Sequence, residues 1–278
     1  MGPQAPGEQP KLPIPGVSHI IAVGSGKGGV GKTTVAVNLS ISLARGGHRT
    51  GLMDADVYGP NVPLMMGIRE NPQALGERII PLENYGVKLM SMGFLSQGDK
   101  PLVWRGPMLH SVIQQFLRGV EWGELDYLIV DMPPGTGDVQ LSLMQTAPIS
   151  GSVVVTTPSD VSLEDARKAV NMFRQVRVPL LGLVENMSYL IAPVSGERID
   201  VFGRGGGQRT AEAMDVPFLG ELPLDPDVRV GGDSGRPVAL FNDNNPHAAP
   251  FHALARQVKL RLVEAAGAAK GPTLTVED

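Results

Sequence analysis

Short uninterrupted apolar runs alternate along the chain with stretches whose apolar residues recur every three or four positions. Ile20-Ile21-Ala22-Val23 is the first such run, and a Gly-rich loop follows at once. Val35, Leu39 and Leu43 then repeat at helical spacing between Thr33 and Arg45, and Gly46-Gly47 ends the segment. Leu52-Met53 (ending in Asp54), Val87 to Met92, and Tyr127 to Val130 (ending in Asp131) read as further strands. Ser152 to Thr157, Leu180 to Val184 and Phe218 to Leu222 continue the series. Ser162 with Asp165 predicts a capping box opening a helix that runs to about Val176. Arg105-Gly106-Pro107-Met108 reads as another helix start, with Met108, Leu109, Val112, Ile113 and Phe116 expected in the core. Phe251, Leu254, Val258 and Leu262 mark one face of a last helix. Buried-type strands alternating with helices predict an α/β fold, a mostly parallel sheet with helices on both faces.

Residues 1–17 carry Pro3, Pro6, Pro10, Pro13 and Pro15 among Gly and Gln and read as a flexible lead-in. Residues 267–278 read as a flexible tail, and 18–266 is expected to form one domain, since no repeat or linker interrupts it. Hydrophobic residues make up 42% of the 278 and charged residues 19%, enough for a sizeable core and too apolar for global disorder. The net charge of -4 argues against a broadly basic nucleic-acid-binding surface. No uncharged apolar run approaches the ~18 residues of a membrane span, and the N-terminus lacks a charged-then-apolar signal pattern. Met1-Gly2 suggests acylation, but Pro6 stands where that motif requires Ser or Thr. The expectation is a cytoplasmic protein with neither membrane nor nucleic acid as a partner. Cysteine is absent, which excludes disulfides, Cys-type zinc sites and thiolate-ligated iron–sulfur clusters on this chain.

The first apolar run delivers Gly26-Lys27-Gly28-Gly29-Val30-Gly31-Lys32-Thr33, followed by Thr34, which matches the phosphate-loop pattern G-x-x-x-x-G-K-[ST]. Glycines let successive backbone N–H groups curl inward as an anion nest. Lys32 places a point charge on the β and γ phosphates of a nucleotide, and the Thr33 hydroxyl suits one position on Mg²⁺. The helix that opens there adds its positive N-terminal end. Two acidic stations follow other strands. Asp54-Ala55-Asp56 stands at the carboxyl edge, where α/β sheets bind ligands, and two acids one residue apart in an extended segment face opposite sides. Asp131-Met132-Pro133-Pro134-Gly135-Thr136-Gly137-Asp138 ends a buried run in an acid, and Asp131 reads as the Walker B carboxylate of a magnesium site. Its Pro- and Gly-rich loop reads as a γ-phosphate-sensing switch.

The second lysine, Lys27, is not required by an ordinary phosphate loop. With it, the motif resembles the deviant Walker A of the SIMIBI class of nucleotide-sandwich ATPases. That resemblance implies a homodimer in which Lys27 reaches the partner's phosphates, a role like an arginine finger. It also implies that Asp56 positions the attacking water and contributes to the magnesium site partly through water. Asp54 is left with either the magnesium shell or the local structure. At the base end, the class uses positions matching Asn186, Pro223 and Leu224 to hold adenine.

Four stretches narrow the resemblance: Asp54 to Gly67 (DADVYGPNVPLMMG), Val103 to Met108 (VWRGPM), Asp131 to Asp138 (DMPPGTGD) and Glu185 to Tyr189 (ENMSY). Together, over about residues 11–265, they resemble the Mrp/ApbC family of iron–sulfur cluster carrier ATPases. The resemblance implies ATP and Mg²⁺ as ligands, apo client proteins as partners, and a cluster bridging two subunits through a Cys-x-x-Cys after the ENMSY segment. Here that stretch reads Ala192-Pro193-Val194-Ser195, and neither Ala192 nor Ser195 is a soft ligand. The five histidines (His19, His48, His110, His247, His252) offer no substitute spacing. Either this is a cysteine-free branch with another client task, or the two cysteines have been replaced.

Gly203 to Gly207 reads as a flexible connector before a helix at Thr210 to Met214, with an anion loop as the alternative. The leading functional expectation is a slow, dimeric, Mg²⁺-dependent ATPase. The rival is a nucleotide-gated positioning or partitioning switch of the same class, for which Arg256, Lys259 and Arg261 on the last helix are the supporting charges.

Overall fold

The computed structural model describes residues 11–57, 59–95 and 106–269. In chain order the first half carries β1 (Val17–Ser25), α1 (Lys32–Arg45), β2 (Thr50–Asp54), α2 (Val62–Met65), β3 (Gln73–Leu75), β4 (Arg78–Ile80), β5 (Leu82–Asn84), β6 (Val87–Ser91) and α3 (Gly106–Arg118). The second half begins with β7 (Leu125–Asp131), α4 (Asp138–Thr146), β8 (Gly151–Thr156), α5 (Asp160–Gln175) and β9 (Leu180–Glu185). It ends with β10 (Leu190–Ile191), β11 (Arg198–Ile199), α6 (Gly206–Ala213), β12 (Phe218–Glu221), α7 (Pro226–Asp233) and α8 (Ala249–Ala269).

Eight strands form one sheet in the order β12-β9-β8-β1-β7-β2-β6-β5, parallel throughout except where β5 meets β6. Alternate strand residues feed two cores. Ile20, Ala22 and Val130 pack with Ile113 and Phe116 of α3 and Val170 and Phe173 of α5. Ile21, Val23 and Ile129 pack on the other face with Leu39 of α1 and Phe251, Leu254 and Val258 of α8. Burial on both faces is why these strands read as continuous apolar runs, with none of the alternation of a half-solvated sheet. The register sets Asp54 directly opposite Asp131 across β2 and β7, and Asp131 opposite Val23 on β1. Three carboxyl ends therefore converge on one edge. No described helix is long and apolar enough to cross a membrane.

Several expectations are corrected. The capping box at Ser162 and Asp165 does not form: α5 starts two residues earlier, after Ser159. Ser162 instead accepts the Thr157 N–H at 3.2 Å, and Asp165 pairs with Lys168 at 2.8 Å. The last helix runs on to Ala269, past the expected start of the tail. At the other end, Ile14 is buried in the first core and the carbonyls of Leu12 and Pro13 accept from Arg118, so the chain is tied down from Leu12 to Ile14, before β1 begins. Met108 is 55% exposed, whereas Leu109, Ile113 and Phe116 are buried as expected. The expectations for residues 1–10, 103–105 and 270–278 lie outside the described residues.

Candidate functional site

The loop between β1 and α1 curls around a cavity of about 400 Å³ lined by Ser25, Lys27, Gly28, Thr33, Asp56 and Pro134, among others. Close packing dictates two of its glycines. A Cβ on Gly26 would lie 1.9 Å from the Asp165 carbonyl oxygen, so α5 abuts the loop directly. Gly31 caps α1 at a φ of 80°, and a Cβ there would meet the Asn186 amide nitrogen at 2.2 Å. Gly28 and Gly29 are exposed at the cavity mouth, and Val30 is buried beneath it. Lys27 lines the same cavity, half-buried, and forms no ion pair with any described residue.

Lys32, Thr33, Asp56 and Asp131 are brought together. The Lys32 ammonium donates to Asp131 Oδ1 at 2.6 Å and lies 3.9 Å from Asp56 Oδ2. The Thr33 hydroxyl donates to Asp131 Oδ2 at 2.8 Å. Asp131 is fully buried; burial raises its carboxyl above the ordinary range, and Lys32 opposes the shift. Asp54 is also fully buried, and burial together with the facing Asp131 carboxylate pushes it up to about 7. Asp131 and Asp56 thus share one ammonium, with Asp54 facing Asp131 across the sheet. The donors are oxygens throughout, a hydroxyl and carboxylates, which fits a hard divalent cation such as Mg²⁺.

The choice left open for Asp54 is narrowed by its partners. Oδ1 accepts the Asp56 N–H at 3.1 Å and Oδ2 accepts the Ser91 hydroxyl at 2.7 Å, while Ser91 Oγ accepts the Gly93 N–H. Oδ1 therefore holds the backbone of the Asp56 segment, and Oδ2 ties it to Ser91 at the end of β6. On the other side of the cavity, Gln140 donates to the carbonyls of Pro133 and Pro134 at 3.1 and 2.5 Å, pinning the switch loop. Nothing in the sequence pattern singled out Ser91, which acts across 37 residues, or Gln140, which reaches back from α4 to the loop just before it.

A second cavity of about 410 Å³ adjoins the first, sharing Thr34 and Asn61 with it, and is lined by Asn186, Met187, Pro223, Leu224 and Val228. Asn186 stands there, but its amide nitrogen is committed to the Val30 carbonyl at 2.9 Å, bracing the phosphate loop. Only its oxygen, which has no donor among the described residues, faces the task expected of it. Asp225, next to Leu224, caps α7 by accepting the Asp227 N–H at 2.8 Å, and His247 bridges the Asp225 and Asp227 carboxylates. Of the Gly203 to Gly207 stretch, Gly206 and Gly207 already belong to α6, which starts earlier than expected, and the buried Glu185 carboxylate accepts the Gly207 N–H there. Ala192 and Ser195 occupy the turn of the exposed β10–β11 hairpin, where Ser195 Oγ accepts the Glu197 N–H. A hydroxyl and a methyl at that tip offer an iron–sulfur cluster no ligand.

A phosphate loop between a central parallel strand and its helix, with Thr33 on the cavity wall bonded to the buried Asp131 behind it, defines a P-loop NTPase. Residues 16–259 match the family model of NUBPL iron-transfer P-loop NTPases, and the chain belongs to that family. It is 56% identical over 245 residues to the iron-sulfur cluster carrier protein of Deinococcus radiodurans, covering 87% of this chain and 69% of that one. The nucleotide-binding protein of Archaeoglobus fulgidus, solved in complex with ADP, is 38% identical with a TM-score of 0.73, over 82% of this chain and 90% of that chain. The cell division ATPase MinD of Pyrococcus furiosus shares the fold at a TM-score of 0.63 and 23% identity, over 87% and 99% of the two chains.

Proposed function

We propose that this chain binds MgATP in the P-loop cavity, hydrolyses it slowly as a homodimer, and serves apo client proteins of cluster assembly without itself holding the cluster. The observation that carries the reading is the meeting of Lys32, Thr33, Asp56 and Asp131 around one cavity. The Lys32 ammonium is shared between Asp56 and Asp131, and a divalent cation adds positive charge where their oxygens meet the Thr33 hydroxyl. Thr33, Asp56 and Asp131 would hold Mg²⁺, partly through water; when bound, the ion would neutralise charge on the nucleotide's phosphate oxygens. Lys32 then attends the same phosphates. Asp56, its backbone held by Asp54, orients the attacking water. Lys27, at the cavity mouth, is the group available to cross to a partner subunit.

The positioning-switch reading ranks second. Arg256 pairs with Asp243, Lys259 with His48 and Arg261 with Glu264, so the basic residues of α8 are committed within the chain. The test is phosphate release and molecular mass in ATP, for wild type and Lys27→Ala. Wild type is expected to double its mass and hydrolyse ATP slowly. The variant should bind ATP but lose about 10³-fold in rate, as an arginine finger does. Full turnover by a strictly monomeric sample would overturn the shared-site reading.

A further inference from the structure

Four described non-glycine residues have a left-handed backbone: Tyr85, Arg177, Met187 and Asp215. Arg177 and Asp215 follow the ends of α5 and α6, and Tyr85 turns the β5–β6 hairpin, all places where such a conformation is routine. Met187, at a φ of 55°, ends no helix and turns no hairpin; it follows Asn186 directly after β9. Strain of this kind persists only where the surroundings enforce it. Both neighbours are held. The Asn186 N–H donates to the Thr156 carbonyl and its amide to Val30, while the Ser188 N–H donates to the Leu222 carbonyl and its hydroxyl to Glu185. The enforced turn sends the Met187 side chain into the second cavity, its methyl carbon 3.5 Å from where a Cβ on Gly31 would stand.

We propose that Met187 is a base-packing residue: the left-handed turn exists to lay its thioether against the purine of a nucleotide whose phosphates fill the P-loop. This rests on the MgATP reading above. The two cavities adjoin at Thr34 and Asn61, so a nucleotide anchored by its phosphates has its sugar and base on the side toward Met187. A flexible, polarisable thioether suits the face of an aromatic ring. The backbone conformation also supplies a clean test. Glycine adopts this φ without strain, so Met187→Gly deletes the side chain while relaxing the chain.

Calorimetry in Mg²⁺ would compare ATP with inorganic tripolyphosphate, which has no base, on wild type, Met187→Gly and Met187→Leu. Met187→Gly is expected to bind ATP on the order of tenfold more weakly. Its tripolyphosphate affinity should be unchanged, and its melting temperature equal or higher. Met187→Leu should keep most of the ATP affinity. Unchanged ATP binding in Met187→Gly overturns the proposal. An equal loss for both ligands also overturns it, since the effect would then run through Asn186 and Val30 to the phosphate loop. A wild-type protein that binds neither ligand overturns the nucleotide reading as well.

Discussion

Asp54→Asn should make the protein more stable at pH 8 and remove much of the dependence of stability on pH. Asp54 has no exposed surface and faces Asp131 across the sheet, and its carboxyl stands at about 7 against an ordinary value of 3.8. The native group therefore holds its proton over a range in which the unfolded group has lost it. Stability then falls as pH rises from about 4 to about 7, by roughly 1.4 kcal/mol per pH unit, and levels off above that. The whole window is worth on the order of 4 kcal/mol, and Asp131, raised in the same direction, adds to the slope. Asparagine is neutral at every pH in this range. It also keeps the local bonds: Oδ1 can accept the Asp56 N–H and Nδ2 can donate to Ser91 Oγ. Urea unfolding of both proteins at pH 5, 6, 7 and 8, free of Mg²⁺ and nucleotide, reads the two slopes directly. Parallel pH profiles, or an Asn variant less stable than wild type at pH 8, would refute the reasoning about the buried carboxyl pair.

Two further outcomes follow from the same geometry. Asp56→Ala should assemble in ATP as wild type does yet accumulate an ATP-bound dimer, because binding survives while the water is no longer oriented; quench-flow phosphate release at the wild-type rate would move that role elsewhere. Wild type should take up no stoichiometric iron on anaerobic reconstitution with iron and sulfide, whereas Ala192→Cys with Ser195→Cys should gain a brown chromophore in the dimer, since two thiolates per subunit then stand at the β10–β11 tip. A double variant that dimerises and stays colourless would show that the hairpin has diverged beyond those two positions.

The parts legible in the sequence were those written locally. The P-loop is one contiguous motif, and Asp54 and Asp131 each end a run of buried strand residues, so their arrival at one sheet edge follows from parallel topology alone. Features set by tertiary register were not legible. Whether Asp54 serves a metal or the backbone depends on Ser91, which belongs to β6 and meets it only in the folded sheet. The commitment of the Asn186 amide to Val30 is a contact across 156 residues, and the bond from the Gly207 N–H to Glu185 spans 22. The capping-box expectation failed because Ser162 has a better use, accepting the Thr157 N–H at the end of β8. Short exposed strands such as β3, β4, β10 and β11 bury too little to leave a hydrophobic signature, so the hairpin bearing Ala192 and Ser195 was invisible as a hairpin. The left-handed backbone of Met187 has no residue code at all, since the residue is not glycine.

The central claim is that Lys32 and its carboxylate partners form a working nucleotide site. Calorimetric titration of ATP with Mg²⁺ into wild type and Lys32→Ala, with folding of the variant checked by circular dichroism, tests it most directly. Wild type is expected to bind one nucleotide per chain saturably, and the folded variant to lose tight binding. Equal ATP affinity in the two proteins would contradict it.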